Sequence, residues 1–183
     1  MSVRIFNGIK PKVAKTSFVD KMASVIGDVS LDEHTSIWPN VSIRGDLLPI
    51  KIGFASNIQD NSVIHTTQFN NTPGQGYSVS IGSHVTVGHG AIIHGCTIGN
   101  RVLIGMGAII LDGAVIEDDC MVAAGSVIPP GKVLTSGSLY IGSPARKVRD
   151  MTQQEYEYII NNAANYKSIK DQHIKDTNYD ETI

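Results

Sequence analysis

This sequence has few aromatic residues, little net charge and only two cysteines, and each scarcity excludes a class of protein. Cys96 and Cys120 are too few and too far apart for a disulfide framework or a C-x-x-C motif. A net charge of -2 argues against a nucleic-acid binder that neutralises phosphates. No apolar run is long enough for a signal peptide or a membrane span, so we expect a soluble cytoplasmic protein without a membrane partner.

What the sequence has instead is an aliphatic residue at every sixth position over most of its length. This period is neither helical nor that of strand alternation, and it indicates short strands joined by tight turns, each with one large inward side chain. Short repeats of this kind are typical of a parallel β-helix. The repeated positions are Val13, Val19, Val25, Leu31, Ile37 and Ile43, then Ile52, Ile58 and Ile64, then Ile81, Val87 and Ile93, and last Ile98, Ile104, Ile110, Ile116, Val122, Ile128 and Leu134.

The repeat is interrupted at three places. The steps that end at Ile52, Ile81 and Ile98 are nine, seventeen and five residues long instead of six. The longest step is rich in Asn, Gly, Thr and Pro, which favour turns and loops. It therefore predicts a loop that protrudes from the β-helix near residues 66–79.

The pattern changes after Pro144, where helical spacing replaces the six-residue repeat. The segment from Thr152 to Glu155 has the form of a capping box, which marks the start of a helix. We expect a β-helix domain over residues 1–150 and a C-terminal segment over residues 151–183. That segment would consist of an α-helix of about residues 152–175 and a loose tail, DTNYDETI. The positions at helical spacing are Ile159, Ala163, Tyr166 and Ile169.

Three polar residues fall on one face of the predicted β-helix when each six-residue repeat is counted as one side. The six-residue pattern resembles that of the hexapeptide-repeat family, in which three six-residue sides complete a coil. With that geometry, Arg44, His65 and His94 would each follow the aliphatic residue of the same side in successive coils. Neighbouring coils that pair as strands do would stack these residues about 4.8 Å apart. A zinc site needs at least three protein ligands, and these histidines supply only two.

The third histidine falls on the face just before. His89 and Asp60 each occupy the third position of their side, one coil apart, and Gln59 precedes Asp60. In a three-fold assembly, one face of each chain can meet the other face of its neighbour. That contact would bring His89 to the histidine pair of the next subunit and Asp60 toward Arg44. We therefore predict a homotrimer with a metal site at each subunit interface.

Four segments of the chain carry a family resemblance: IRGDLLPIKIG, SNIQDNSVIH, VGHGAIIHGCTIG and LYIGSPARKVR. They resemble segments of the gamma-class carbonic anhydrases, in particular their YrdA-like bacterial hexapeptide-repeat members. The resemblance implies an all-β solenoid, namely a left-handed parallel β-helix with a C-terminal α-helix, assembled as a homotrimer. It covers nearly the whole chain.

The resemblance also implies a site and a reaction. His65 and His94 of one subunit and His89 of its neighbour would bind Zn²⁺, with Fe²⁺ or Co²⁺ as alternatives. The metal would lower the pKa of its water to about 7, and the hydroxide would attack CO₂ to give bicarbonate. Gln59 would orient this water or hydroxide, and Asn57 would lie near the substrate pocket. The interface network would comprise Arg44, Asp46 and Asp60.

The chain departs from the family pattern in its acidic residues. Leu47 stands where archetypal members carry a glutamate, and the loop from Thr66 to Ser78 contains no acid. The carboxylate proton shuttle is therefore missing, and we expect CO₂ hydration that is weak or lost. His84 is a candidate replacement, whereas we interpret His34 and His173 as structural.

Two other classes of function stay open. Hexapeptide-repeat proteins often transfer acyl groups, so a CoA-linked acyltransferase or acyl-CoA thioesterase is an alternative enzyme. A non-enzymatic metal or siderophore binder, or an assembly subunit, is the third hypothesis.

Overall fold

The computed structural model describes residues 2–70, 72 and 74–177 and shows a parallel β-solenoid followed by one helix. The first strands are β1 (Val3–Arg4), β2 (Lys12–Val13), β3 (Phe18–Val19), β4 (Ser24–Leu31), β5 (Ser36–Ile37), β6 (Ser42–Ile52), β7 (Asn57–Ile58), β8 (Val63–His65), β9 (Thr67–Gln68), β10 (Gly76–Tyr77) and β11 (Val79–Ile81). The later strands are β12 (Thr86–Val87), β13 (Ile92–His94), β14 (Thr97–Ile98), β15 (Leu103–Ile104), β16 (Ile109–Ile110), β17 (Val115–Ile116), β18 (Met121–Val122), β19 (Val127–Ile128), β20 (Val133–Leu134), β21 (Ser138–Gly142) and β22 (Ala145–Asp150).

The strands stack on three faces, one strand per face in each coil. Face 1 contains the first parts of β4 and β6, followed by β8, β13, β16 and β19. Face 2 contains the second parts of β4 and β6, followed by β11, β14, β17 and β20. Face 3 contains β3, β5, β7, β12, β15, β18 and β21, and β22 pairs antiparallel to β21 at its end. The predicted β-helix of six-residue sides is confirmed.

The core is a set of columns of aliphatic side chains, because each inward position lies directly over its equivalent one coil away. The repeated positions from Val25 to Leu134 are at most 3% exposed. Each such side chain contributes about 1.5–3 kcal/mol by its burial. Val13 was expected in these columns, but it is 37% exposed. It lies at the N-terminal end of the solenoid, where few residues remain to cover it.

The protruding segment contains a small antiparallel hairpin. Strands β9 and β10 pair through Gln68 with Gly76 and through Thr67 with Tyr77. The rings of Phe69 and Tyr77 pack edge to face, with centroids 5.1 Å apart. This hairpin continues directly from β8, so it begins beside His65.

The terminal helix α1 spans Gln153–Thr177, and its start is fixed by the predicted capping box. The Thr152 amide donates to Glu155 Oε2 at 2.9 Å, and the Glu155 amide donates to Thr152 Oγ1 at 3.3 Å. The helix packs on face 3 against β5, β7 and β12. Ile159 and Ala163 are buried in this contact.

The prediction that Ile169 faces inward is wrong, since its side chain is 40% exposed and Lys170 is buried instead. The Lys170 ammonium donates to the carbonyl of Thr16 at 2.9 Å and also contacts Asp171. These partners make burial of the charged end tolerable. The predicted tail lies outside the described residues, apart from two residues that complete α1. None of the described residues forms a helix long and apolar enough to span a membrane.

Candidate metal centre

Arg44, His65 and His94 form a ladder on face 1. Arg44 of β6 is the register partner of His65 in β8, and His65 is the partner of His94 in β13. The inward isoleucines that precede these residues are fully buried, so the strands hold the three side chains at fixed positions. The arrangement is the one that counting sides predicts.

The two histidines face each other through one ring nitrogen each. His65 Nδ1 lies 3.3 Å from His94 Nε2, and the ring centroids are 5.3 Å apart. Two nitrogens bound to one tetrahedral zinc ion at about 2.0–2.1 Å lie about 3.3–3.4 Å from each other. The pair therefore fits two adjacent ligand positions of a tetrahedral cation.

Asp46 holds the other nitrogen of His65. Its Oδ1 lies 3.0 Å from His65 Nε2, and its Oδ2 contacts the Arg44 guanidinium. Burial raises the pKa of Asp46, but hydrogen bonds from Arg44 and His65 outweigh it and leave that pKa below the ordinary value. Burial lowers the pKa of His65 and outweighs the hydrogen bond to Asp46, which opposes it. A neutral His65 that donates from Nε2 presents a free lone pair on Nδ1.

Asp112 holds the other nitrogen of His94, and sequence reasoning missed it. Asp112 Oδ1 lies 2.7 Å from His94 Nδ1, and Thr67 Oγ1 donates to Asp112 Oδ2 at 2.8 Å. A histidine that donates from Nδ1 directs its Nε2 lone pair toward a metal. The count of sides does not reach Asp112, because the short step makes this coil 17 residues long and the position over His94 is Leu111, with Asp112 next to it.

Gly95 makes the space for this carboxylate. Its φ is +51°, and a Cβ added there would lie 2.3 Å from Asp112 Oδ1. Only glycine permits both the left-handed turn and the contact with the carboxylate at this position.

His89 does not join the pair within one chain. It lies at the corner between faces 3 and 1, where its Nδ1 is 3.0 Å from Asp60 Oδ2. The two side chains are 46% and 37% exposed. Within residues 2–70, 72 and 74–177, no three His, Cys, Asp or Glu side chains of one chain form a metal-binding group. The structure thus brings together two of the three predicted ligands and exposes the third.

Gln59 and Asn57 lie on face 3, one coil below His89, and both are buried. Gln59 Nε2 donates to Asn57 Oδ1 at 3.1 Å. Gln59 and His89 line one cleft of about 400 Å³ between face 3 and α1. The apolar part of that cleft is formed by Leu103, Met106, Met121, Val122, Ala123 and Ala124.

The remaining histidines lie elsewhere. His84 is at the corner between faces 2 and 3, where its ring packs on Phe54, with centroids 5.4 Å apart. His34 packs on the same phenylalanine, at 5.5 Å. His173 of α1 packs on Trp38, with ring centroids 5.1 Å apart. None of these contacts includes His65 or His94, and the role of His84 as a proton shuttle stays a prediction.

Comparisons with known proteins identify several relatives. Residues 9–172 match the family model described as Dynactin subunit 5. The chain is 44% identical to the Escherichia coli protein YrdA over 96% of each chain. It is 42% identical to the mitochondrial gamma carbonic anhydrase 1 of Arabidopsis thaliana, over 89% of this chain and 59% of that one. A hexapeptide transferase family protein from Anaplasma phagocytophilum has a similar structure, with a TM-score of 0.86, 39% identity and coverage of 93% of this chain and 96% of that one.

Proposed function

This chain belongs to the dynactin subunit 5 family and to the family of YrdA and the gamma carbonic anhydrases, and on this basis we propose that it is a carbonic anhydrase-like metalloenzyme that hydrates CO₂ to bicarbonate. One observation carries the proposal. His65 Nδ1 and His94 Nε2 lie at the spacing of two ligands of one cation, and each ring is oriented by a carboxylate, Asp46 or Asp112.

The proposed ligands are His65 and His94 of one subunit and His89 of another. Three neutral imidazoles suit Zn²⁺, and Fe²⁺ or Co²⁺ are compatible with the same ligand type. When bound, such a cation supplies Lewis acidity that produces a nucleophile for CO₂ from water at neutral pH.

The homotrimer in this proposal is supported by the outward residues of face 1. Val63, Ile92, Ile109 and Val127 are register partners in four successive coils and form an apolar stripe beside the histidine ladder. Val63 and Ile92 are each 40% exposed in the isolated chain. A stripe of this kind matches the apolar part of the cleft on face 3 of a second copy, since burial of both surfaces is favourable.

Charge complementarity supports the same pairing of faces. The Arg44 side chain on face 1 is 47% exposed and carries a positive charge. Asp60 on face 3 is exposed beside His89 and carries a negative one. Contact between face 1 of one chain and face 3 of the next would bring Asp60 to Arg44 and His89 to the histidine pair in one operation.

Within the site, Gln59 would hold the attacking water, and Asn57 would fix the amide of Gln59. Asp46, Asp60 and Arg44 would hold the interface. We propose slow hydration, because Asp46 and Asp112 are engaged by histidines and the hairpin loop carries no acid to take up the released proton.

CoA-linked acyl transfer or thioester hydrolysis is the second candidate. It is favoured by the likeness to the Anaplasma phagocytophilum protein, which is described as a hexapeptide transferase family member. The facing imidazoles of His65 and His94, each held by a carboxylate, favour the carbonic anhydrase-like candidate, because an acyltransfer base requires only one histidine.

The test is a metal analysis of the purified protein followed by stopped-flow CO₂ hydration and an acyl-CoA hydrolysis assay on the same metal-loaded sample. We expect zinc, iron or cobalt in the protein and CO₂ hydration that a chelator abolishes. Protein without any of these metals, even after reconstitution, would refute the proposed centre. Acyl-CoA turnover without CO₂ hydration would favour the second candidate.

A further inference from the structure

Three hydrogen bonds connect Gln59 to the C-terminal helix through largely buried side chains, and a fourth continues within the helix. Gln59 Nε2 donates to Asn57 Oδ1 at 3.1 Å, and Asn57 Nδ2 donates to Thr86 Oγ1 at 2.9 Å. Thr86 Oγ1 donates to Asn162 Oδ1 at 3.2 Å, and Asn162 Nδ2 donates to the Tyr158 hydroxyl at 3.4 Å. We call Gln59, Asn57, Thr86 and Asn162 the amide relay. All its donors point the same way, from the site toward α1.

The direction of the amide relay follows from the chemistry of its members. Asn57 Nδ2 also faces the backbone carbonyl of Val85 at 3.4 Å, and a carbonyl can only accept. This bond is long, so the hydroxyl of Thr86 contributes to the orientation. A threonine has a single hydroxyl hydrogen, and the one on Thr86 points to Asn162. Thr86 can therefore only accept from Asn57, and Asn57 Oδ1 is left to face Gln59.

The same logic fixes the group that Gln59 presents to the cleft. Because its Nε2 is directed at Asn57, its Oε1 is the amide atom left for the cleft that it shares with His89. An oxygen there accepts a hydrogen from a water molecule and leaves the lone pairs of that water for attack. An amide rotated by half a turn would donate to those lone pairs instead.

We propose that Asn162 is a positioning residue that, through Thr86 and Asn57, holds the amide of Gln59 with its oxygen toward the cleft. The proposal gives α1 a role in the site, and it rests on the proposed function for its catalytic consequence. Docking of α1 does not depend on Asn162, since Ile159 and Ala163 are buried against face 3.

The first test observes Gln59 directly and needs no activity. In ¹⁵N-labelled, metal-loaded protein, the side-chain amide protons of Gln59 are followed by NMR for their exchange with solvent. We expect Thr86→Val and Asn162→Ala to speed this exchange about tenfold, as the loss of one hydrogen bond allows. Thr86→Ser should keep the slow exchange, and Asn161→Ala, on the exposed side of α1, is the matched control. Unchanged exchange in both Thr86→Val and Asn162→Ala overturns the proposal.

The second test separates positioning from binding. We expect kcat for CO₂ hydration to fall about three- to tenfold in Thr86→Val and Asn162→Ala, with KM nearly unchanged and with Thr86→Ser close to wild type. Faster Gln59 exchange with an unchanged kcat overturns the catalytic role. If the wild type itself hydrates no CO₂, the proposed function fails, and the NMR result still decides whether the amide relay orients Gln59.

Discussion

The coils that contain the histidines and the coils that follow them share one repeat but differ in regularity. From Ile98 to Leu134 every step is six residues, and the inward positions are fully or almost fully buried. Between Ile43 and Ile98 three steps depart from six, and each departure supplies a part of the candidate centre. The first contains Asp46, the second Thr67 and the third Gly95.

This difference shows how a repetitive fold accommodates a site. The regular coils provide a rigid frame, because each buried side chain is supported by its equivalents above and below. The irregular steps turn the chain off that frame at places where polar side chains can reach the histidine ladder. Function is expected at the departures, and stability at the regular positions.

The largest effect should come from the ladder itself. We expect His65→Ala or His94→Ala to reduce metal affinity by more than about 100-fold, because removal of a ligand exceeds the loss of an oriented partner. Val133→Ala, an exposed substitution on β20 in the regular coils, should leave metal binding unchanged. Competitive titration with a chromogenic chelator measures both. Full metal affinity in either histidine variant would contradict the assignment of metal binding to the irregular coils.

The next prediction compares two buried isoleucines, one beneath the histidine ladder and one in the regular coils. Ile93→Ala lies under the ladder and Ile116→Ala lies in the regular coils, and both isoleucines are at most 1% exposed. Each substitution should lower the free energy of unfolding by about 2–5 kcal/mol, as measured by chemical denaturation. Only Ile93→Ala should also weaken metal binding. Equal metal affinities in the two variants would show that the ladder does not depend on the core beneath it.

Asp112 should have an intermediate effect. Asp112→Ala leaves His94 without its acceptor, and we expect a loss of about 10- to 100-fold in metal affinity. The control is Asp118→Ala, since Asp118 accepts hydrogen bonds from Asn100 away from the site. A metal affinity that is unchanged in Asp112→Ala would mean that Thr67 alone orients the ring.

The sequence was sufficient for the parts of the molecule that depend on periodicity. The aliphatic step predicted the solenoid, and counting sides predicted that Arg44, His65 and His94 are neighbours. One coil later the same count reaches Leu111 and misses Asp112, which is the next residue. It could not reveal the contact from Thr67, because that residue is positioned by the hairpin and not by the repeat.

The helix contacts were less accessible to sequence reasoning. Helical spacing favoured Ile169 as an inward residue, yet Lys170 is buried because its ammonium meets a backbone carbonyl of the first coils. The bond from Thr86 to Asn162 joins residues 76 positions apart, and it depends on how α1 docks on face 3. No local pattern specifies that docking.

The smallest effect should appear at the start of α1, outside both sets of coils. The hydrogen bond from Arg149 is the largest of the interactions that lower the pKa of Glu155 to about 2. Its stabilising contribution is present above the unfolded-state pKa and disappears as pH falls through the folded one. We expect Glu155→Gln to lower the free energy of unfolding at pH 7 by about 0.3–1 kcal/mol, because glutamine keeps the capping-box hydrogen bond but loses the charge that pairs with Arg149. That difference should shrink as pH falls below 4.5 and be lost once pH is below about 2, as measured by thermal unfolding. A difference as large at pH 2 as at pH 7 would contradict the assigned charge.

Mixed trimers test the shared centre most directly. His65→Ala and His89→Ala chains are purified separately, then unfolded and refolded together, and metal bound per trimer is measured in each sample. Neither homotrimer should bind metal at the site. Each mixed trimer should bind one, because a single interface combines an intact His89 with an intact histidine pair. A His89→Ala homotrimer that retains full metal, or mixed trimers that bind none, would contradict a site shared between subunits.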